Sequence, residues 1–209
     1  MVYLIFGKDN YLKEQFIKKI KKDFDELQIG INYILIDASN VNNIISDIET
    51  PAFGYDKKLI IAKNTSLFSK GNSFAETVAE YLKNNDTENV ELIFDEESAE
   101  KNALYKTIEK VGQVKEVKEL TFPELINEVI KIAKLYNVNI NSANAQYFVE
   151  CVGTNMSDII NEIRKLIEYA GPRKWNKKGR HRRINNKKDW KHNIWSDWQS
   201  WKKECGKGH

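Results

Sequence analysis

The sequence is poor in cysteine and has no long apolar run. Its two cysteines, Cys151 and Cys205, are too few for a disulfide framework, so a reducing cytoplasm is the expected location. The longest apolar runs, such as residues 59–62, are far shorter than the ~20 residues of a membrane-spanning helix. The start of the chain lacks a basic segment followed by an apolar one, so we expect no signal peptide and no membrane partner.

Positive charge is concentrated near the end of the chain. Of the 33 Lys and Arg residues, 13 lie in residues 171–209, together with only three of the 30 Asp and Glu residues. The first 170 residues therefore carry a net negative charge, and the final segment is strongly basic. Such a division indicates that the two parts obey different constraints.

The basic segment also has an unusual residue vocabulary. It holds all five tryptophans and no Leu, Val, Ala, Phe, Met or Tyr, so a packed core is difficult to build there. We expect residues 172–209 to be disordered or to come from a shifted reading frame. The alternative is a natural arm whose lysines contact phosphates and whose tryptophans stack on bases. Its histidines show no regular ligand spacing, and we expect no metal site.

Continuous apolar runs alternate with helical patterns as far as residue 119. The runs predict buried strands, and their alternation with helices predicts an α/β fold whose parallel five-stranded sheet is flanked by helices. The predicted strands are residues 2–6, 33–36, 58–62, 90–94 and 113–117. The first helix is predicted to begin after a capping Asp9 and to continue through Phe24 and Leu27.

The pattern changes near residue 120. Thr121 and Glu124 form a capping-box sequence, and three helical patterns then follow without a strand as far as Gly171. We therefore expect a second, small helical domain, with a boundary between residues 120 and 140.

The turn after the first strand invites comparison with a phosphate-binding loop. Such a loop needs the pattern G-x-x-x-x-G-K-[ST]. Counting from Gly7, Leu12 replaces the second glycine, Lys13 follows, and Glu14 replaces the hydroxyl residue. We therefore interpret Gly7 and Lys8 as a degenerate turn that binds no nucleotide. The acidic residues 95–97 are correspondingly expected to form a solvated turn.

Five motifs in order resemble the delta subunit of bacterial DNA polymerase III. They are "YLIFGKDNYLKEQ", "TPAFGYDKKLIIAKN", "ELIFDEES", "VKELTFPELINEVIKIAKLYNVNI" and "VGTNMSDIINEIRKLIEYAG". The resemblance implies an AAA+-like domain without a working nucleotide site over residues 1–138 and a helical lid domain over residues 139–171. The family's collar domain has no counterpart in residues 172–209, which implies a truncated subunit.

The resemblance also implies a function without catalysis or cofactor. Delta subunits bind the sliding clamp, the beta subunit, and open its ring during DNA replication, while other clamp-loader subunits hydrolyse ATP. DNA is contacted through the assembled complex.

The expected clamp-binding residues are Pro51, Ala52, Phe53 and Gly54. In the family a pair of apolar residues at this place enters a pocket of the clamp, and here Ala52 and Phe53 occupy it. The family usually has a bulky residue at the position of Ala52, so this wedge should be weaker, and Phe53 is the expected anchor. The alternative is that Phe53 folds back onto its own domain. Residues 65–68, "TSLF", hold another apolar pair, which is expected to pack within a loop.

Two other functions remain open from the residues alone. The chain could be a P-loop ATPase, which nucleotide binding would reveal. It could also be a nucleic-acid-binding protein that acts through its basic tail.

Overall fold

A computed structural model describes residues 1–136, 138 and 140–170 of the chain, with side chains described up to residue 165. The basic tail, with both interpretations of it, lies outside the described residues. The chain divides into two compact units, one of residues 1–119 and a second that begins at Leu120. The assignment of domains to residues 1–138 and 139–171 stays a prediction.

The first unit is built on the predicted parallel sheet. Its strands are β1 (Val2–Phe6), β2 (Tyr33–Ile36), β3 (Lys58–Lys63), β4 (Val90–Glu96) and β5 (Gln113–Glu116). They lie side by side in the order β2-β3-β4-β1-β5, and every neighbouring pair is parallel. The sequence prediction of an α/β sheet is therefore confirmed, and the apolar runs mark the strands because both faces of this sheet are covered.

Helices cover both faces of the sheet. The helices of this unit are α1 (Asn10–Lys21), α2 (Ile44–Glu49), α3 (Ser73–Asn84) and α4 (Ala103–Val111). Alternate strand residues point to opposite faces: Leu4 belongs to one apolar cluster and Ile5 to the other. The larger cluster includes residues of α2, α3 and α4, and the smaller one includes Ile17 and Ile20 of α1.

The first helix is shorter than its sequence pattern predicts. Asp9 caps it as expected, because its Oδ1 accepts the N–H of Leu12 at 3.0 Å. The helix ends at Lys21, and the chain continues in tight turns through Phe24. Phe24 and Leu27 still pack against the core from outside the helix, which explains why they continue the apolar spacing.

The second unit contains the three predicted helices, α5 (Phe122–Leu135), α6 (Ser142–Val152) and α7 (Met156–Ala170). Glu124 Oε2 accepts the backbone N–H of Thr121 at 2.7 Å and its hydroxyl at 2.6 Å, so the predicted capping box is present. The helices contact one another, and each contributes buried apolar side chains. No helix among the described residues is long and apolar enough to cross a membrane.

Candidate functional site

The parallel sheet separates two groups of loops. Loops that follow strands lie at its carboxyl edge, where Gly7 follows β1 and Glu97 follows β4. Loops that precede strands lie at its amino edge, where residues 50–57 precede β3 and residues 28–32 precede the adjacent β2. Ligands of open α/β sheets bind at the carboxyl edge. The degenerate turn and the proposed clamp-binding loop therefore lie at opposite edges.

Gly7 is explained by packing within its own domain. Its φ is +139°, and a β-carbon at this position would lie 1.9 Å from the carbonyl oxygen of Val117. Only glycine permits the chain after β5 to come so close. Lys8, which follows, is exposed. The glycine of the turn therefore has a structural reason that involves no phosphate.

Lys13 has the position of the phosphate-binding lysine but contacts a carboxylate instead. Its Nζ lies 2.8 Å from Oδ1 of Asp95 and donates to the carbonyl oxygen of Glu96 at 2.9 Å. The side chain of Lys13 is only 1% exposed. Because an ammonium group buried in this way needs its counter-ion, the charge that would bind a phosphate is already neutralised.

The acidic residues after β4 differ from the sequence expectation. Asp95 and Glu96 are buried, and only Glu97 is solvated, so the expected solvated turn is wrong for the first two residues. Glu96 Oε1 accepts the backbone N–H of Thr65 at 2.9 Å and the hydroxyl of Thr65 at 2.6 Å. Burial nevertheless raises the pKa of Glu96, and these hydrogen bonds oppose the rise.

At the amino edge, Phe53 stands out from the surface of a short turn. The N–H of Tyr55 donates to the carbonyl oxygen of Ala52 at 2.9 Å, and Gly54 has a φ of +83°. A turn with a left-handed third residue favours glycine there. The side chain of Phe53 is 84% exposed. The alternative in which this ring folds back onto its own domain is therefore wrong for the free chain.

The buried residue Lys58 holds the start of this loop. Its side chain is 3% exposed, and its Nζ donates to the carbonyl oxygens of Thr50 and, at 2.8 Å, Asp47. These oxygens belong to the end of α2, where backbone carbonyls lack helical partners and cations are favoured. Burial lowers the pKa of Lys58, and the charge of Asp47 opposes the change. The loop thus begins from a fixed point.

Sequence reasoning missed Lys13, Asp95 and Lys58 as organising residues. Lys58 is the first residue of β3, whose first five residues are all buried, so its burial follows from the covering of both faces of this strand once the start of β3 is known. The Lys13–Asp95 pair joins residues far apart in the chain, and no local pattern announces it. The other apolar pair, Leu67 and Phe68, is buried as expected. Among the described residues, no group of His, Cys, Asp or Glu could hold a metal ion.

Comparison with known proteins gives the family. The model of the DNA polymerase III delta subunit family matches residues 3–118, more than half of the chain. The chain belongs to the DNA polymerase III delta subunit family.

Two curated relatives agree with this assignment. DNA polymerase III subunit delta of Bacillus subtilis is 25% identical over 184 residues, covering 82% of this chain and 53% of the relative. The probable DNA polymerase III subunit delta of Aquifex aeolicus is 22% identical over 184 residues, covering 83% of this chain and 51% of the relative. The chain thus spans about half the length of the delta subunits it matches.

Solved structures support the AAA+-like fold of this delta-family chain. The DNA clamp loader delta protein of Bacillus subtilis superposes with a TM-score of 0.63 at 20% identity, covering 96% of this chain and 67% of that protein. The Holliday junction branch migration motor RuvB of Thermotoga maritima gives a TM-score of 0.52 at 11% identity, covering 95% of this chain and 61% of that protein. At identities this low, the structural similarity establishes the fold and nothing further.

Proposed function

We propose that this chain is a clamp-loader delta-type subunit that binds the sliding clamp through Phe53 and helps to open its ring during DNA replication. The observation that carries the proposal is an exposed ring on a turn that is fixed at its start. A large apolar side chain held out in water is typical of an anchor that fills a partner's pocket. Pro51, Ala52 and Gly54 shape the turn around it.

The proposal assigns no catalysis or cofactor to the chain itself. ATP is hydrolysed by neighbouring clamp-loader subunits, and DNA is contacted through the assembled complex in the cytoplasm. The AAA+-like domain is followed by the small helical lid, with the boundary between them within residues 120–140. The carbonyl of Val117 against Gly7 and the Lys13–Asp95 pair support a closed turn, because phosphates would need both the space and the charge.

The test of clamp binding is a titration of the purified sliding clamp against wild type and Phe53→Ala. Burial of a phenylalanine side chain is worth about 1.5–3 kcal/mol, so we expect the variant to bind roughly 10- to 150-fold more weakly. Leu135→Ala is the control, because Leu135 is also apolar and 80% exposed but lies on α5. Equal clamp affinity of wild type and Phe53→Ala would refute the assignment of Phe53.

Nucleotide binding is tested separately by titrating ATP and magnesium against the same protein. We expect no saturable binding at micromolar ATP, because Lys13 already has its counter-ion. Magnesium-dependent binding in that range would favour the P-loop ATPase alternative.

A further inference from the structure

A second apolar side chain lies at the amino edge of the sheet, on the loop beside Phe53. Ile29 is 73% exposed, and it belongs to the loop that precedes β2. The loop of Phe53 precedes β3, and β2 and β3 are neighbours in the sheet. Both apolar side chains are therefore presented at the same edge of the domain by adjacent loops.

A direct hydrogen bond joins the two loops. The hydroxyl of Tyr55, two residues after Phe53, donates to Oε1 of Gln28 at 2.8 Å, and Gln28 directly precedes Ile29. A standard protein interface buries about 800 Å² on each partner, a patch roughly 30 Å across. Loops in hydrogen-bond contact fall well within one such patch.

The loop of Ile29 is held by a hydrogen-bond network of its own. The carbonyl oxygen of Gln28 accepts the N–H groups of Ile31, Asn32 and Tyr33 at 3.1–3.2 Å. The buried side chain of Asn32 accepts the N–H of Gln28 at 2.7 Å and donates to the carbonyl oxygen of Glu26 at 2.8 Å. Ile29 is thus held exposed by a built turn, which reduces the entropy that binding would cost.

A single exposed isoleucine is ordinary on a protein surface. Two large apolar side chains exposed on hydrogen-bonded neighbouring loops are different, because exposed apolar side chains gathered at one edge of a domain are typical of interaction sites. We propose that Ile29 is a second anchor for the same partner that receives Phe53, so that the sliding clamp covers both loops at once. This inference rests on the proposed function and adds to it the extent of the contact surface.

The test compares Ile29→Ala, Phe53→Ala and the double variant in clamp titrations. Removing the outer carbons of Ile29 is expected to weaken clamp binding roughly 5- to 50-fold. The melting temperature of the protein should not change, because Ile29 is exposed. The double variant is expected to bind more weakly than either single variant. Leu35→Ala is the control, because Leu35 is an exposed aliphatic residue farther along β2.

The outcomes separate the two proposals. Weakening by Phe53→Ala together with unchanged binding by Ile29→Ala would overturn the second anchor and leave the proposed function intact. Unchanged binding by both variants would overturn the proposed function, and the second anchor with it. Equal weakening by Ile29→Ala and Leu35→Ala would also overturn the second anchor, because the effect would not be specific to the amino edge.

Discussion

Lys13 and Asp95 form an ion pair across the carboxyl edge of the sheet, with 2.8 Å between Nζ and Oδ1 and both side chains buried. Lys63 approaches the other carboxylate oxygen of Asp95 at 3.7 Å from a more exposed position. The pair connects α1 to the end of β4. Lys13, counted from Gly7, stands at the position of the phosphate-binding lysine in the pattern G-x-x-x-x-G-K-[ST].

Breaking this pair should destabilise the protein. Lys13→Met leaves the buried carboxylate of Asp95 with only Lys63, whose ammonium group is 3.7 Å away and whose side chain is half-exposed, and the loss of one partner of a buried pair costs about 3–5 kcal/mol. We expect a loss near the lower end of that range, measured by urea unfolding. Lys18→Met is the control, since Lys18 is exposed on the same helix.

A double variant distinguishes the ion pair from simple packing. Lys13→Met combined with Asp95→Leu removes both charges, so much of the lost stability should return. A double variant less stable than Lys13→Met alone would contradict this account of the pair.

Glu96 should make stability depend on pH. Because burial raises its folded pKa above the ordinary value of 4.5, the native state holds a proton that the unfolded state has lost at pH values between the two. The contribution of Glu96 to the free energy of unfolding therefore falls as the pH rises from the unfolded pKa to the folded pKa. Above the folded pKa, this contribution stays at its lowest value. Glu96→Gln keeps an acceptor for Thr65 and should remove this part of the pH dependence.

The comparison is made by urea unfolding of wild type and Glu96→Gln from pH 4 to pH 8. The stability of the variant relative to wild type should increase with pH across the window. Glu97→Gln provides the matched control, because Glu97 is solvated. A relative stability that decreases with rising pH would show that the charged form of Glu96 is favoured in the fold.

Lys58 should matter for both stability and clamp binding. In Lys58→Met the carbonyl oxygens of Asp47 and Thr50 lose their donor, at a cost of about 1–3 kcal/mol. The start of the Phe53 loop then loses its hydrogen bonds to Lys58 and becomes more mobile. Clamp affinity should fall, because ordering the loop on binding then costs more conformational entropy. Lys57→Met, at the exposed neighbouring residue, should change neither the melting temperature nor the affinity. Full clamp affinity in Lys58→Met would refute its role in positioning the loop.

The strands β1 to β4 were predictable because each contains a short, mainly apolar run, whereas β5 has Val114 as its single apolar residue. β1 and β2 have the predicted limits, and β4 extends two residues farther because Asp95 and Glu96 continue the strand while buried. That extension could not be read locally, since the partners of these carboxylates, Lys13 and Thr65, come from distant segments. The sequence pattern predicted too long an α1 for a related reason. Phe24 and Leu27 continue the apolar spacing because they pack against the core, although they lie outside the helix.

The candidate site was predictable only in part. Family resemblance singled out Phe53, and the turn with Gly54 is readable from the residues, but the exposure of the ring depends on the folded domain. Ile29 had no signal of its own, since Leu27 and Ile31 flank it and nothing in the sequence tells which of the three is exposed. Its place beside Phe53 follows from the order of β2 and β3 and from the contact of Tyr55 with Gln28.

Gly54 should be required for the shape of the turn that presents Phe53. Its φ of +83° lies in the left-handed region, where a β-carbon costs roughly 1–2 kcal/mol, although open space surrounds this position. We therefore expect Gly54→Ala to shift the turn, with weaker clamp binding and a small loss of stability. Gly71→Ala is a close control, because Gly71 has a φ of +76°, is also surrounded by open space, and lies in the loop before α3.

The two variants should lose similar stability in urea unfolding, and only Gly54→Ala should lose clamp affinity. Equal affinity of the two variants for the clamp would mean that the geometry of this turn does not determine how Phe53 is presented.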